Sequence, residues 1–75
     1  MDKRLAPEKR IGLALRAKRI AVGLSQEELS FEAGLHRTYI GAVERGEKNV
    51  TLRNIVRLAK ALKVEASDIM KTAKL

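Results

Sequence analysis

The chain has no cysteine, no tryptophan and a single histidine, His36, among its 75 residues. Without cysteine it can form neither disulfides nor thiolate metal sites, and one histidine provides too few ligands to hold a metal ion. It also has no glycine-rich phosphate-binding loop, and its acidic residues fit helix caps and solvated helix faces. The sequence therefore argues against an enzyme and predicts neither a metal site nor a cofactor.

Long apolar runs are also absent, so the sequence shows neither a signal peptide nor a membrane span. No stretch alternates polar and apolar residues for long enough to indicate a β-strand. Aromatic residues are limited to Phe31 and Tyr39, so the core must be aliphatic. We therefore expect one all-α domain over residues 1–75, cytoplasmic and without a membrane partner.

Positive charge is what the chain has in excess, with 16 Lys and Arg against 9 Asp and Glu and a net charge of +7. A basic balance in a small domain indicates a polyanionic partner, either nucleic acid or an anionic membrane surface. The same charge is also compatible with simple solubility. The choice between these interpretations therefore depends on the motifs.

Capping signals and apolar spacing place five helices, at residues 7–22, 26–33, 36–45, 52–63 and 66–73. Ser25 and Glu28 form a capping box before the second helix, and Gly34 favours a reversal after it. Two short helices joined by a glycine-containing turn, here residues 26–45, are typical of a helix-turn-helix. In that motif the second helix enters the DNA major groove. We therefore expect a compact five-helix bundle that contains this motif.

Several short segments carry a resemblance to a known family: GLSQEEL at 23–29, AGLHRTYI at 33–40, ERG at 44–46, TL at 51–52 and LAKAL at 58–62. In order and spacing they resemble the helix-turn-helix domain of phage repressors and Cro, also called the XRE family. The resemblance covers about residues 11–70. It implies a lambda repressor-like bundle with a DNA-binding core at 11–66 and a dimerisation helix at 66–75. The HRTYI run at 36–40 most resembles the controller proteins of restriction–modification systems.

The resemblance implies DNA contacts for residues of the motif and of the segment that follows it. Arg37, Thr38 and Ala42 are expected to face the groove floor, where an arginine can bond guanine through two atoms. Helix N-termini bind anions, which favours phosphate contacts near the start of each motif helix. The full expected set is Ser25, Gln26, His36, Arg37, Thr38, Tyr39, Ala42, Arg45, Lys48, Asn49 and Arg53.

Some of these residues have a second interpretation that the sequence leaves open. Ser25 can act as a helix cap alone, and Tyr39 can pack on the bundle surface instead of contacting a phosphate or a base edge. Arg45, Lys48, Asn49 and Arg53 are expected to clamp the DNA backbone, which fixes register without reading sequence. Each of the four is also compatible with a solvated surface position.

The same resemblance implies two structural features outside the motif surface. Arg19 and Glu44 are expected to form a partly buried ion pair that aligns the recognition helix. Three apolar residues near the carboxyl end are expected to form the dimer contact, because too little of the domain remains to bury them: Ile69, Met70 and Leu75.

The chain departs from the family pattern at a few positions. Many relatives have glycine where Lys63 stands, and many have a larger polar residue where Gly41 stands, inside the recognition helix. Independently of the family pattern, Gly12 is expected to weaken the first helix slightly. The change at Lys63 falls in a loop and is not expected to alter the fold. Gly41 costs helix propensity, and it either permits close approach to DNA or is simply tolerated.

The leading interpretation is a homodimeric, sequence-specific transcriptional regulator of the controller type, acting on a palindromic or pseudo-palindromic operator. Its expected partners are double-stranded DNA, a second copy of the chain and, as a candidate, RNA polymerase. A phage- or plasmid-type repressor and an antitoxin-like protein-interaction module remain open. A membrane-surface role for the basic helix at 52–63 is the weakest alternative, because its apolar stripe is better explained as core.

Overall fold

The computed structural model describes residues 1–75 and consists of five α-helices without a β-strand. The helices are α1 at Pro7–Ala21, α2 at Gln26–Ala33, α3 at Arg37–Glu44, α4 at Leu52–Leu62 and α5 at Ala66–Thr72. No helix end differs from the predicted bounds by more than one residue, so the expected five-helix fold is confirmed. None of the helices combines the length and the apolar character that crossing a bilayer requires.

The core is aliphatic, as predicted, and every helix contributes to it. The largest fully buried side chains are Leu15, Leu29, Ile40, Val43, Leu58, Leu62 and Ile69. Tyr39 only packs against the edge of this core, and Phe31 lies outside it with 86% of its surface exposed. Burial of each such aliphatic side chain contributes about 1.5–3 kcal/mol, so the bundle is stabilised mainly by these residues.

All five helices end in the same way, with a residue of left-handed conformation whose successor bonds back to the helix. Glycine supplies this residue after α1, α2 and α3, whereas Lys63 and Lys74 supply it after α4 and α5. After α4, for example, the Val64 N–H donates to the Ala59 carbonyl at 3.0 Å. This motif satisfies free carbonyls at each helix end and reverses the chain, which keeps the connections short.

Helix α1 lies against α3 at Gly12, where the two backbones come very close. A β-carbon at this position would overlap the Val43 carbonyl oxygen and lie 2.7 Å from the Glu44 carbonyl oxygen. The absence of a side chain at Gly12 therefore permits the α1–α3 contact that positions α3, the second helix of the helix-turn-helix. This explains a glycine that helix propensity alone treats only as a weakness.

Candidate nucleic-acid interface

The recognition helix α3 is tied to α1 by a buried ion pair between Arg19 and Glu44. The Arg19 Nε donates to Glu44 Oε2 at 2.7 Å, and Nη2 donates to Oε1 at 3.0 Å. Arg19 Nη1 also donates to the Leu24 carbonyl at 2.8 Å, which fixes the turn before α2. The Glu44 carboxylate raises the pKa of Arg19 above its ordinary value. The pair therefore aligns α1, the α1–α2 turn and α3 with one another.

Gln26, the first residue of α2, joins this ion pair. Its Nε2 donates to Glu44 Oε1 at 3.1 Å, so the same carboxylate binds side chains from α1 and α2. Because the amide nitrogen faces Glu44, the amide oxygen faces outward and lies beside Gly41 on α3. Gln26 thus links the two helices of the motif and still presents a polar atom on the surface.

Ser25 acts as the N-cap of α2, as the sequence predicted. Its Oγ accepts from the Glu28 N–H at 3.0 Å, and its own N–H donates to Glu28 Oε1 at 2.9 Å. The Ser25 N–H holds the pKa of Glu28 below its ordinary value. The hydroxyl proton of Ser25 is not used by the cap and can still be donated to an anion.

The first turn of α3 is exposed and carries side chains that have no partner within the chain. His36 is the N-cap, since its Nδ1 accepts from the Thr38 N–H at 3.2 Å. Arg37 and Thr38 follow, both exposed, and neither side chain makes an internal hydrogen bond. The opposite side of α3 is fixed by Ile40 and Val43 in the core. The structure therefore presents Arg37 and Thr38 to the outside on a rigidly held helix.

Tyr39 has a role that the sequence left open between packing and DNA contact. Its ring packs against the core, and its hydroxyl accepts a hydrogen bond from Asn54 Nδ2 of α4 at 3.0 Å. The hydroxyl keeps its own proton for an acceptor outside the chain. Asn54 was missed by the sequence analysis, because nothing in the local pattern shows that α4 passes next to α3.

Ala42 does not lie where the sequence analysis expected it. Only 7% of its surface is exposed, so its methyl group is not available to a groove. All residues from Ile40 to Glu44 are buried, so this turn of α3 leaves no side exposed, and the loop after α3 follows directly on it, with the Glu47 N–H donating to the Ala42 carbonyl at 2.9 Å. Helical spacing alone does not reveal that loop.

Exposed cationic and polar side chains follow α3, in the loop after it and at the start of α4. Lys48, Asn49 and Arg53 are exposed, and none of their side chains makes a hydrogen bond within the chain. Arg45 differs from them, since its Nε and Nη2 donate to the two oxygens of Glu47 at 2.8 and 3.1 Å. The acidic residues of α2, by contrast, lie on its exposed outer side with Phe31: Glu27, Glu28 and Glu32.

The residues expected at a dimer contact are only partly available for one. Ile69 is wrong as a surface residue, because it is 0% exposed and packs within the core of the single chain. The reason is that α5 packs against both α1 and α4, which covers its apolar side. Met70 is half-buried, and Leu75 remains exposed beside it in a groove that Val50 and Ile55 also line.

Comparison with known proteins also identifies a helix-turn-helix domain in most of the chain. The helix-turn-helix family model matches residues 15–69. Control protein C.BamHI of Bacillus amyloliquefaciens is 53% identical over 47 residues, which are 63% of this chain and 58% of that protein. Control protein C.SmaI of Serratia marcescens is 50% identical over 56 residues, which are 75% of this chain and 67% of that protein.

A solved structure of another controller protein superimposes on this chain over nearly the whole length of that controller protein. The restriction–modification controller protein C.AhdI from Aeromonas hydrophila superimposes with a TM-score of 0.84 and 49% identity, covering 87% of this chain and 98% of that one. The relatives are named as control proteins and not as enzymes. The chain belongs to the helix-turn-helix family of the XRE type, and its close homologues are restriction–modification controller proteins.

Proposed function

We propose that this protein is a sequence-specific transcriptional regulator of the restriction–modification controller type, which binds duplex DNA through α3. The observation that carries the proposal is the first turn of α3, where Arg37 and Thr38 are exposed and unpaired on a helix whose other side is fixed. An arginine in that position can donate two hydrogen bonds to guanine O6 and N7. Thr38 can bond a base edge or contact a thymine methyl group.

The flanking residues supply contacts that hold the helix in the groove. Lys48 and Arg53 carry unpaired charges beside α3, and the Tyr39 hydroxyl has a free proton. Contacts of this kind go to phosphates and fix register, while each neutralised phosphate makes binding more dependent on salt. Relatives that share about half of the aligned residues and are named control proteins support the same assignment.

The protein acts, in this proposal, as a homodimer on a palindromic or pseudo-palindromic operator. A two-fold dimer would place two copies of α3 about 34 Å apart, one turn of DNA. The surface we assign to the dimer is at the start of α4, where Leu52 and Val56 are one helical turn apart and both exposed, together with Met70 and Leu75. The second copy would cover apolar area that the single chain leaves in solvent.

RNA polymerase is a further partner in this proposal, with the outer side of α2 as its contact. That side carries exposed acids around Phe31 and lies on the opposite side of the helix from its buried residue Leu29. In a purified transcription assay, Phe31→Ala should reduce activation without weakening DNA binding. Equal activation by the variant and the parent would contradict the proposed contact between α2 and RNA polymerase.

Selection of bound sites from random duplexes tests the proposed function. The expected result is one enriched motif with two symmetric half-sites, and an affinity for it that falls steeply with salt. Enrichment of no motif would contradict sequence-specific binding. Enrichment of a single unsymmetric site would contradict the dimer and leave the DNA-binding function intact.

A further inference from the structure

Arg45 lies on the same side of α3 as Thr38, although the sequence pattern placed it among phosphate clamps. Positions 38, 41 and 45 fall on one face of the helix, at spacings of three and four. The Arg45 side chain folds back along this face over Gly41: a β-carbon at Gly41 would be 3.1 Å from Arg45 Nη1. The lack of a side chain at Gly41 is what gives the guanidinium this position.

Gln26 borders the same place from the other side. Its Oε1 lies 3.5 Å from the point where a Gly41 β-carbon would stand, while its Nε2 is held by Glu44. An amide oxygen and a guanidinium nitrogen therefore both border the space left by one glycine of α3. We call this arrangement of Gln26, Gly41 and Arg45 the Gly41 notch. Its polar atoms are a donor and an acceptor, the two kinds of group that read base edges in the major groove.

Glu47 holds Arg45 in this position from the loop after α3. The two side chains are paired through two parallel hydrogen bonds at 2.8 and 3.1 Å, which use Nε and Nη2 and leave Nη1 over the notch. The Arg45 guanidinium lowers the pKa of the Glu47 carboxyl below its ordinary value. A carboxylate offers two acceptors side by side, as the O6 and N7 atoms of guanine do. Glu47 therefore occupies the place that such an acceptor would take.

The pair is exposed, with both side chains more than half accessible to solvent, so it is easily exchanged. We infer that Arg45 is a specificity-determining residue that reads a base edge from the Gly41 notch. Glu47 is a positioning residue, which competes with weaker acceptors for the Arg45 guanidinium. The inference rests on the proposed DNA-binding function. Glu47 must be displaced before Arg45 can bind DNA. The net binding free energy is therefore less favourable for Arg45 on a single phosphate oxygen than for Arg45 on a base edge with two acceptors.

The test is site selection from random duplexes with Arg45→Ala, and Arg57→Ala on α4 serves as the matched loss of one exposed arginine. Arg45→Ala should lose its preference at one further position in each half-site, while Arg57→Ala should select the parental motif. The inference is overturned if Arg45→Ala selects the parental motif and only binds all sequences more weakly, with a salt slope lower by about one. A wild-type protein that selects no motif contradicts the proposed function itself.

The role of Glu47 is tested by Glu47→Gln against Glu32→Gln, which removes the same charge from the outer side of α2. Glu47→Gln should bind random-sequence duplex about two- to five-fold more tightly than Glu32→Gln does and keep the parental motif. Its ratio of specific to non-specific affinity should therefore fall. Equal non-specific affinities for the two variants would overturn the positioning role.

Discussion

At the residue scale, the candidate interface depends on charged side chains whose partners lie far away in the chain. Glu44 receives N–H groups from Arg19 and Gln26, which precede it by 25 and 18 residues. The ion pair could be expected because the resemblance to the XRE family implies it for Arg19 and Glu44. The participation of Gln26 could not, since an amide orientation depends on the tertiary packing of α2 against α3.

Arg19→Met is expected to destabilise the protein by about 3–5 kcal/mol, because it leaves the buried Glu44 carboxylate without its cation. Thermal and denaturant unfolding measure the change. The double variant Arg19→Met with Glu44→Met is the control, and it should recover much of the loss because no unpaired charge remains. Unfolding of Arg19→Met at the parental midpoint would contradict the structural role of the pair.

Two other residue positions were misplaced by pattern alone, for a common reason. Ala42 and Ile69 both fall at positions where local spacing allows exposure. Yet every residue from Ile40 to Glu44 is buried, and the packing of α5 against α1 and α4 leaves Ile69 0% exposed. Spacing along one helix indicates which residues share a face. It does not indicate which other element covers that face.

At the scale of elements, the helix ends were the most predictable part of the structure. Ser25 and Thr51 cap α2 and α4 through their hydroxyl oxygens, and both caps could be predicted from residue type and position. The left-handed residue after α4 was less visible, because Lys63 stands there in place of glycine. Its φ of 59° is a conformation that costs a side chain energy.

Lys63→Gly is expected to stabilise the protein by about 1 kcal/mol, since glycine adopts the left-handed conformation without strain. The gain is reduced by the greater freedom of glycine in the unfolded chain. Lys60→Gly, three residues earlier and inside α4, should instead cost about 1 kcal/mol. A midpoint of chemical unfolding that falls for Lys63→Gly would show that the cap is not strained.

Gly12→Ala tests the close contact of α1 and α3. Alanine has the higher helix propensity by about 1 kcal/mol, but its β-carbon would overlap the Val43 carbonyl oxygen. We expect a net loss of about 1–3 kcal/mol, as for other overpacked sites, and weaker DNA binding as α3 shifts. An increase in the unfolding midpoint would contradict this packing. The control is Ala17→Gly on the exposed side of α1, which measures the difference in helix propensity between alanine and glycine without the close contact to α3.

At the scale of the whole molecule, the exposed cations and acids of the motif region lie on different elements. Unpaired cations stand at the first turn of α3, in the loop after it and at the start of α4, whereas the acids lie on the outer side of α2. Exposed aliphatic residues also stand at the start of α4. Composition was compatible with a polyanionic partner or with simple solubility, and the motif indicated α3 as the helix that we propose binds DNA. The apolar surface at α4 could not be predicted, because the same residues fit a core stripe until the packing shows which are left outside.

Leu52→Asp should shift the proposed dimer to monomer, with a dissociation constant at least about tenfold higher. Leu52 is 75% exposed and begins α4, where an acidic residue is favourable to the helix, so the single chain should fold normally. Sedimentation equilibrium at micromolar concentration measures the change. Phe31→Asp, on α2, is the control and should leave the dimer unchanged. A parent protein that is monomeric under these conditions would contradict the proposed dimer.

The central claim is that the first turn of α3 reads bases, and site selection with Arg37→Ala tests it most directly. The variant should fold as the parent does, because Arg37 is exposed and makes no internal hydrogen bond. The account predicts that it loses base preference at one position in each half-site, at a cost of about 1–3 kcal/mol for the parental sequence. Selection of the unchanged parental motif by Arg37→Ala would contradict it.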